Sequence, residues 1–139
     1  MNKSLLDTDI LSEIGKGINP NVARNATAYR NAFGRYTLSV ISIMEVLRGF
    51  QKKQSHRRMH RFLMTIASEE ILSFDQAAAE LAGRIAGDLE RMGQPIGAVD
   101  PMIAAIALRH GLELVTGNTA HYQRIQQLGY PLTLVNWRV

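Results

Sequence analysis

Three acidic residues that are far apart along the chain each stand beside an apolar segment. Asp7 follows a short apolar run, Glu45 lies within one, and Asp100 immediately precedes one. Carboxylates withdrawn from water beside such segments repel one another unless a cation compensates their charge. Because the chain contains no Cys and only four His, this donor set favours Mg2+, or Mn2+ in its place, over zinc.

Each acid also has a purely structural explanation when it is considered alone. Asp7 and Asp9 fit a turn followed by a helix cap. Glu45 fits a capping box with Ser42, and Asp100 fits the cap of the helix that follows it. The three acids taken together, each at the edge of an apolar segment, instead favour one shared metal site.

A carboxylate site that holds Mg2+ beside cationic residues is suited to phosphodiester hydrolysis by a metal-activated water, which requires no protein nucleophile. Cationic residues are concentrated between Glu45 and Glu69, a segment without any acid. They are Arg48, Lys52, Lys53, Arg57, Arg58 and Arg61. The planar guanidinium group of Arg suits phosphate oxygens, although a solvated helix face is the ordinary interpretation of such a run. Composition alone leaves both interpretations open.

The elements that would position these residues alternate between strand and helix. Apolar runs predict five strands, at residues 3–6, 36–40, 71–74, 112–116 and 132–135. Helical patterns fill the intervals, which predicts a single domain over residues 1–139 with an α/β fold. Its expected architecture is a three-layer α/β/α sandwich with a mainly parallel central sheet.

Two of the predicted helices have specific expected features. Asp75 is expected to cap a helix over residues 76–91. A helix is also expected in the cationic segment between Glu45 and Glu69. It should turn four apolar side chains inward, namely Met59, Phe62, Leu63 and Ile66. Ligands of a parallel sheet lie beyond the carboxyl ends of its strands, where Asp7 and Asn118 both fall.

Composition limits the class of protein. A chain of 139 residues that is 46% hydrophobic can bury a core without disulfides or a structural metal. No apolar run approaches the roughly 18 residues of a membrane span, and we recognise no leader segment. We therefore expect a cytoplasmic protein with no membrane partner, and its net charge of +4 gives a slight preference for polyanions.

Four ordered segments carry a resemblance that covers nearly the whole chain. They are LLDTDILSE at residues 5–13, LSVISIMEVLRG at 38–49, IGAVDPMIAAIA at 96–107 and LVTGNTAHYQRI at 114–125. In this order they resemble the PIN-domain proteins, and most closely the VapC toxins of type II toxin–antitoxin pairs. The resemblance implies an endoribonuclease that depends on Mg2+.

The resemblance also implies roles for individual residues. Asp7, Glu45 and Asp100 match the metal-site acids of the family, and these acids are catalytic. The accompanying polar positions are matched by Thr8, Asp9, Ser42 and Thr116. The fourth segment departs from the family pattern, because Asn118 and His121 stand where acids often occur. We expect Asn118 to assist through its carbonyl oxygen or a metal-bound water. We expect His121 to lie at the surface or beside the ligands without being a ligand itself.

Partners follow from the same resemblance, which implies a homodimer and a small VapB-like antitoxin. The C-terminal segment of that antitoxin is expected to occupy the active-site groove. We expect Arg48, Lys52 and Lys53 to contact either the RNA or the antitoxin, and both interpretations stay open at this point.

Two other functions remain as alternatives. The first is a catalytically weak PIN-fold module that binds RNA. The presence of Asn118 where the family often has an acid favours this alternative. The second is a haloacid-dehalogenase-like phosphatase, because LLDTDILS has the Asp-x-Asp pattern of those enzymes, with Asp7 as nucleophile. Such phosphatases need a later lysine, and this chain has none after Lys53.

Overall fold

The computed structural model describes all 139 residues, as five strands and seven helices. The strands are β1 (Ser4–Leu6), β2 (Thr37–Ser39), β3 (Glu70–Leu72), β4 (Glu113–Val115) and β5 (Leu134–Val135). The helices are α1 (Thr8–Lys16), α2 (Pro20–Phe33), α3 (Val40–Lys52), α4 (His56–Ile66), α5 (Gln76–Arg91), α6 (Val99–His110) and α7 (Thr119–Gln127). None of the helices has both the length and the apolar content that crossing a bilayer requires.

Local sequence signals set several of these boundaries. The Asn19 side chain accepts the backbone N–H groups of Asn21 and Val22, and Pro20 occupies the first turn of α2. That helix ends at Gly34, whose φ of 81° lies in the left-handed region that favours glycine. The Asp75 side chain caps α5, so this predicted cap is confirmed.

Every strand pair with a hydrogen-bonded ladder is parallel. β1 pairs with β4, β4 with β5, and β2 with β3. β1 and β2 are neighbours without a ladder, and the hydroxyl of Tyr29 bridges them. It lies 3.2 Å from the Ser4 backbone nitrogen, 3.1 Å from the Ser4 carbonyl oxygen and 3.0 Å from Thr37 Oγ1.

Alternate residues along the central strands belong to two separate cores. Leu5 of β1 and Leu114 of β4 pack with α5, α6 and α7. Leu6 and Val115 pack with α1, α2 and α4. Because successive side chains of a strand point to opposite faces, helices cover both faces of the sheet. The predicted α/β/α sandwich is confirmed.

Three local predictions are wrong, each for a structural reason. The cap of α3 is Ser39, whose hydroxyl accepts the backbone N–H of Ser42, because β2 runs directly into α3 without a loop. Asp100 caps nothing, because α6 begins one residue before it. Leu63 is 42% exposed, because α4 packs chiefly on α3 and leaves its outer side in solvent.

The bridging hydroxyl between β1 and β2 provides a test of the sheet. Tyr29→Phe should lower the free energy of unfolding by about 1–3 kcal/mol, because polar groups of Ser4 and Thr37 would stay buried without this partner. Urea denaturation measures the change. Tyr130→Phe is the matched control, since the Tyr130 hydroxyl bonds Asp88 at a partly exposed position. Equal losses in the two variants would contradict the bridging role.

Candidate metal site

The parallel pairing of β1 with β4 brings Asp7 and Thr116 together. Leu6 lies opposite Val115 in the register, so the next residue of each strand emerges at the same edge. The Thr116 hydroxyl donates to Asp7 Oδ2 at 2.8 Å. The backbone N–H of Thr8 donates to Asp7 Oδ1 at 2.8 Å, which also caps α1. Both oxygens of the Asp7 carboxylate are therefore held in place.

The Asp7 carboxylate is buried and forms no ion pair. Its residue is 5% exposed, and no salt bridge in the structure includes it. Burial, followed by repulsion from Asp9 and with a further contribution from Asp100, raises the pKa of Asp7 to about 7. The hydrogen bonds from Thr116 and Thr8 lower this pKa without cancelling the effect of burial. No cation therefore pairs directly with the Asp7 carboxylate.

Asp100 approaches the same edge from the first turn of α6. Its Oδ2 lies 3.1 Å from His121 Nδ1 and 3.4 Å from Asn118 Nδ2. The backbone N–H of Asn118 donates to Thr116 Oγ1 at 3.0 Å. Asn118 therefore connects Thr116, which bonds Asp7, to Asp100. Its side-chain amide nitrogen points towards Asp100. His121 lies beside Asp100 and is partly exposed.

Tyr122 is a residue of this site that the sequence analysis missed. Its side chain is completely buried, and its hydroxyl has no hydrogen-bond partner. The hydroxyl faces Asp7 and Asp100, and burial together with these two charges raises the pKa of Tyr122 well above 10. The available signal was spacing, because Tyr122 follows Asn118 by one helical turn and so shares its face.

Glu45 reaches the site through Thr8. The Thr8 hydroxyl lies 2.6 Å from Glu45 Oε1 and 2.9 Å from Ser42 Oγ. No three carboxylate or imidazole side chains lie close enough together to hold an ion among them. The structure thus brings Asp7 and Asp100 together around the Tyr122 hydroxyl and places Glu45 one side chain further out. Ligation by all three acids stays a prediction.

The residues present fit a hard divalent cation. Asp7, Glu45 and Asp100 offer carboxylate oxygens, and no thiol is available anywhere in the chain. Asp7 is a buried carboxylate without an ion pair, and the buried Tyr122 hydroxyl faces both acids without a well-formed hydrogen bond to either. Both conditions are typical of a site whose structure is complete only with an ion and its water.

A groove with a volume of about 930 Å3 leads away from this site between α1, α3 and α4. Thr8 and Glu45 form its inner end, and Phe50 and Phe62 form part of its wall with ring centroids 6.3 Å apart. Its cationic lining residues are Lys16, Arg30, Lys53, Arg58 and Arg61. Of the three predicted contact residues, Lys53 lines the groove, while Arg48 and Lys52 are exposed outside it.

Comparison with known proteins gives a consistent set of relatives. A family model described as PIN domain matches residues 4–126. The tRNA(fMet)-specific endonuclease VapC of Shigella flexneri is 36% identical over 93 residues, which are 66% of this chain and 70% of that protein. Toxin FitB of Neisseria gonorrhoeae is 28% identical over 127 residues, with 85% and 89% covered.

Solved structures resemble the whole chain. One chain of DNA-bound VapBC from Salmonella typhimurium is 29% identical, with a TM-score of 0.80 and 99% of both chains covered. A chain of VapBC-1 from nontypeable Haemophilus influenzae is 25% identical, with a TM-score of 0.75 and 98% of both chains covered. The similarity therefore includes the elements that carry the acidic site.

The raised pKa of Asp7 predicts how the stability of the metal-free protein depends on pH. The unfolded chain releases this proton near pH 3.8 and the folded protein near pH 7, so stability should fall as the pH rises between these values. Asp7→Asn removes this loss, and in EDTA at pH 8 it should be more stable than wild type by up to about 4 kcal/mol.

Chemical denaturation at a series of pH values in EDTA measures this effect. Asp88→Asn, at a partly exposed position outside the site, is the control and should keep the wild-type pH dependence. If Asp7→Asn shows the wild-type slope between pH 4 and 7, the Asp7 carboxylate does not carry the burial cost inferred above.

Proposed function

This chain belongs to the PIN-domain family, among its VapC toxins, and from this premise we propose that it is the endoribonuclease toxin of a type II toxin–antitoxin pair. The observation that carries the proposal is the uncompensated Asp7 carboxylate, which faces Asp100 at the carboxyl edge of the sheet. A divalent cation would relieve the repulsion between these two acids. We propose Mg2+ as that ion, with Mn2+ able to replace it.

The roles of the site residues follow from their contacts. Asp7 and Asp100 would hold the ion, Glu45 would complete its shell or position water, and Asn118 would assist. A bound divalent cation supplies Lewis acidity towards the phosphodiester and makes water a stronger acid. No protein nucleophile is required, in agreement with the absence of Cys.

The surrounding residues hold the acids in a fixed geometry. Thr116 and Thr8 each occupy one oxygen of Asp7 through a hydrogen bond. Asn118 and His121 both contact Oδ2 of Asp100, which leaves Oδ1 of that residue free. Such contacts to metal-binding groups orient them before the substrate arrives. The role of these residues is therefore to orient the acids.

The groove supports a choice between the two proposed partners of the basic segment. Its wall contains Leu11, Val46, Phe50 and Phe62, and apolar side chains do not bind phosphates. They suit the apolar face of an amphipathic segment, and the cationic rim suits acidic residues on that segment. We therefore assign the groove to the antitoxin, which would exclude RNA by covering Glu45.

Two glycines of the groove offer positions at which this assignment can be tested. Gly15 in α1 and Gly49 in α3 line it from different helices, although glycine destabilises a helix interior by about 1 kcal/mol relative to alanine. A Cβ at either position would meet no atom of this chain within 4 Å. Each position therefore has room for a larger side chain that would narrow the groove.

RNA is the proposed substrate, and the relatives named as tRNA(fMet)-specific make initiator tRNA the first RNA to assay. Exposed cations outside the groove, including Arg48 and Lys52, remain available for its phosphates. A homodimer and a cytoplasmic location complete the proposal. Exposed Met44 and Met64 offer apolar surface for the dimer contact.

RNA cleavage in the presence of Mg2+ tests the proposed activity. Asp7→Asn and Asp100→Asn should each lower the cleavage rate at least about 100-fold, whereas Asp88→Asn should not change it. Full activity of Asp100→Asn, or cleavage that persists in EDTA, would contradict the site. RNA binding by wild type without cleavage would favour the binding module, and phosphate release from a small monoester would favour the phosphatase.

Filling the groove tests the proposed antitoxin contact. Gly49→Leu should fold and cleave RNA as wild type does, because its Cβ meets open space and Gly49 lies outside the acid site. It should nevertheless escape inhibition by the antitoxin of its pair in a co-expression toxicity assay. Gly87→Leu, in α5 and outside the groove, is the matched control. Normal inhibition of Gly49→Leu would refute the assignment.

A further inference from the structure

The C-terminal tail folds back against the start of α2 and the end of β4. Trp137 is 3% exposed, and its carbonyl oxygen accepts a hydrogen bond from Asn25 Nδ2. The carbonyl oxygen of Arg138 accepts a hydrogen bond from Asn21 Nδ2 at 3.0 Å. The backbone of the tail is therefore fixed, and it projects the Arg138 side chain towards α1.

The Arg138 guanidinium group joins two acids of α1. Its Nε donates to Glu13 Oε2 at 2.8 Å, and its Nη2 lies 3.2 Å from Asp9 Oδ2. The same oxygen of Asp9 accepts the backbone N–H of Gly117 at 3.0 Å. Arg138, Asp9 and Gly117 thus form one connected group beside the acid site.

The identity of Gly117 is explained by Arg138. The backbone of Gly117 is not in the left-handed region, so its conformation does not require glycine. A Cβ at this position would instead overlap the Arg138 guanidinium group, with Nη1, Cζ and Nε all in conflict. Gly117 therefore provides the space that the guanidinium group occupies.

The loop that Gly117 occupies presents both polar supports of the acid pair. Thr116, on one side of Gly117, donates to Asp7 at 2.8 Å. Asn118, on the other side, contacts Asp100 at 3.4 Å. A displacement of Gly117 would therefore move both supports at once.

We propose that Arg138 is a positioning residue for the metal site, because it fixes Asp9 and Gly117 and thereby holds Thr116 and Asn118 against the two acids. This inference rests on the proposed metal-dependent function. It adds to that function a residue of the C-terminal tail that contacts neither of the acids proposed to hold the ion.

The sign of the effect on metal affinity separates positioning from charge alone. Arg138 is a cation near the acids, so on electrostatic grounds its removal should tighten the binding of a divalent cation. Loss of positioning should weaken that binding, because contacts to metal-binding groups typically contribute about 10- to 100-fold in affinity. A residue that serves only stability should change the melting temperature and leave metal affinity unchanged.

The first test measures Mn2+ binding to the metal-free protein by calorimetry, well below the melting temperature. Arg138→Met should weaken Mn2+ binding by about tenfold or more, while Arg91→Met, which removes an exposed pair with Asp88, should not. Unchanged or tighter binding in Arg138→Met would overturn the inference. Failure of the wild-type protein itself to bind Mn2+ would instead reject the proposed function.

A double-mutant cycle keeps the inference testable if the first variant is unstable. Gly117→Ala should weaken Mn2+ binding in the wild-type background, because its methyl group displaces the guanidinium group from Asp9. In the Arg138→Ala background the same methyl group has room, so its further effect should be small. Equal effects of Gly117→Ala in both backgrounds would overturn the inference.

Discussion

The burial of the Asp7 carboxylate at the end of β1, without an ion pair of its own, is the constraint on which the rest of the site depends. Parallel pairing with β4 forces this residue to the sheet edge next to Thr116. Two hydrogen bonds support the charge, but burial and neighbouring acids still raise its pKa to about 7. Asp100 and the Tyr122 hydroxyl face the same point, so binding of the proposed divalent cation would relieve the arrangement.

Much of this arrangement can be predicted from sequence, because strand ends and helix caps are local features. The apolar run before Asp7 and the run before Asn118 predict two strands, and parallel topology then places both residues at one edge. Helix α5 is predicted to its residue bounds from the Asp75 cap and the alanine-rich pattern. The position of Asp100 near this edge follows from α6, although the prediction that it caps that helix is wrong.

The remaining features depend on contacts that no local pattern contains. Whether Ser39 or Ser42 caps α3 is decided by the absence of a loop after β2. Arg138 meets Glu13, which lies 125 positions earlier in the sequence, and nothing near either residue indicates the pair. Lys53 lines the groove while Arg48 does not, since the rotation of α3 against α1 and α4 determines which side chains face it.

The site and the groove share Thr8 and Glu45, so the proposed binding sites for a metal, RNA and an antitoxin would meet at one end of α1. The central claim is that Asp7 and Asp100 bind a single divalent cation between them. Anomalous diffraction from crystals soaked in Mn2+ tests it most directly. We predict one strong peak within bonding distance of a carboxylate oxygen from each of these two residues. The absence of a peak at that position, or a peak that contacts neither acid, would contradict the account.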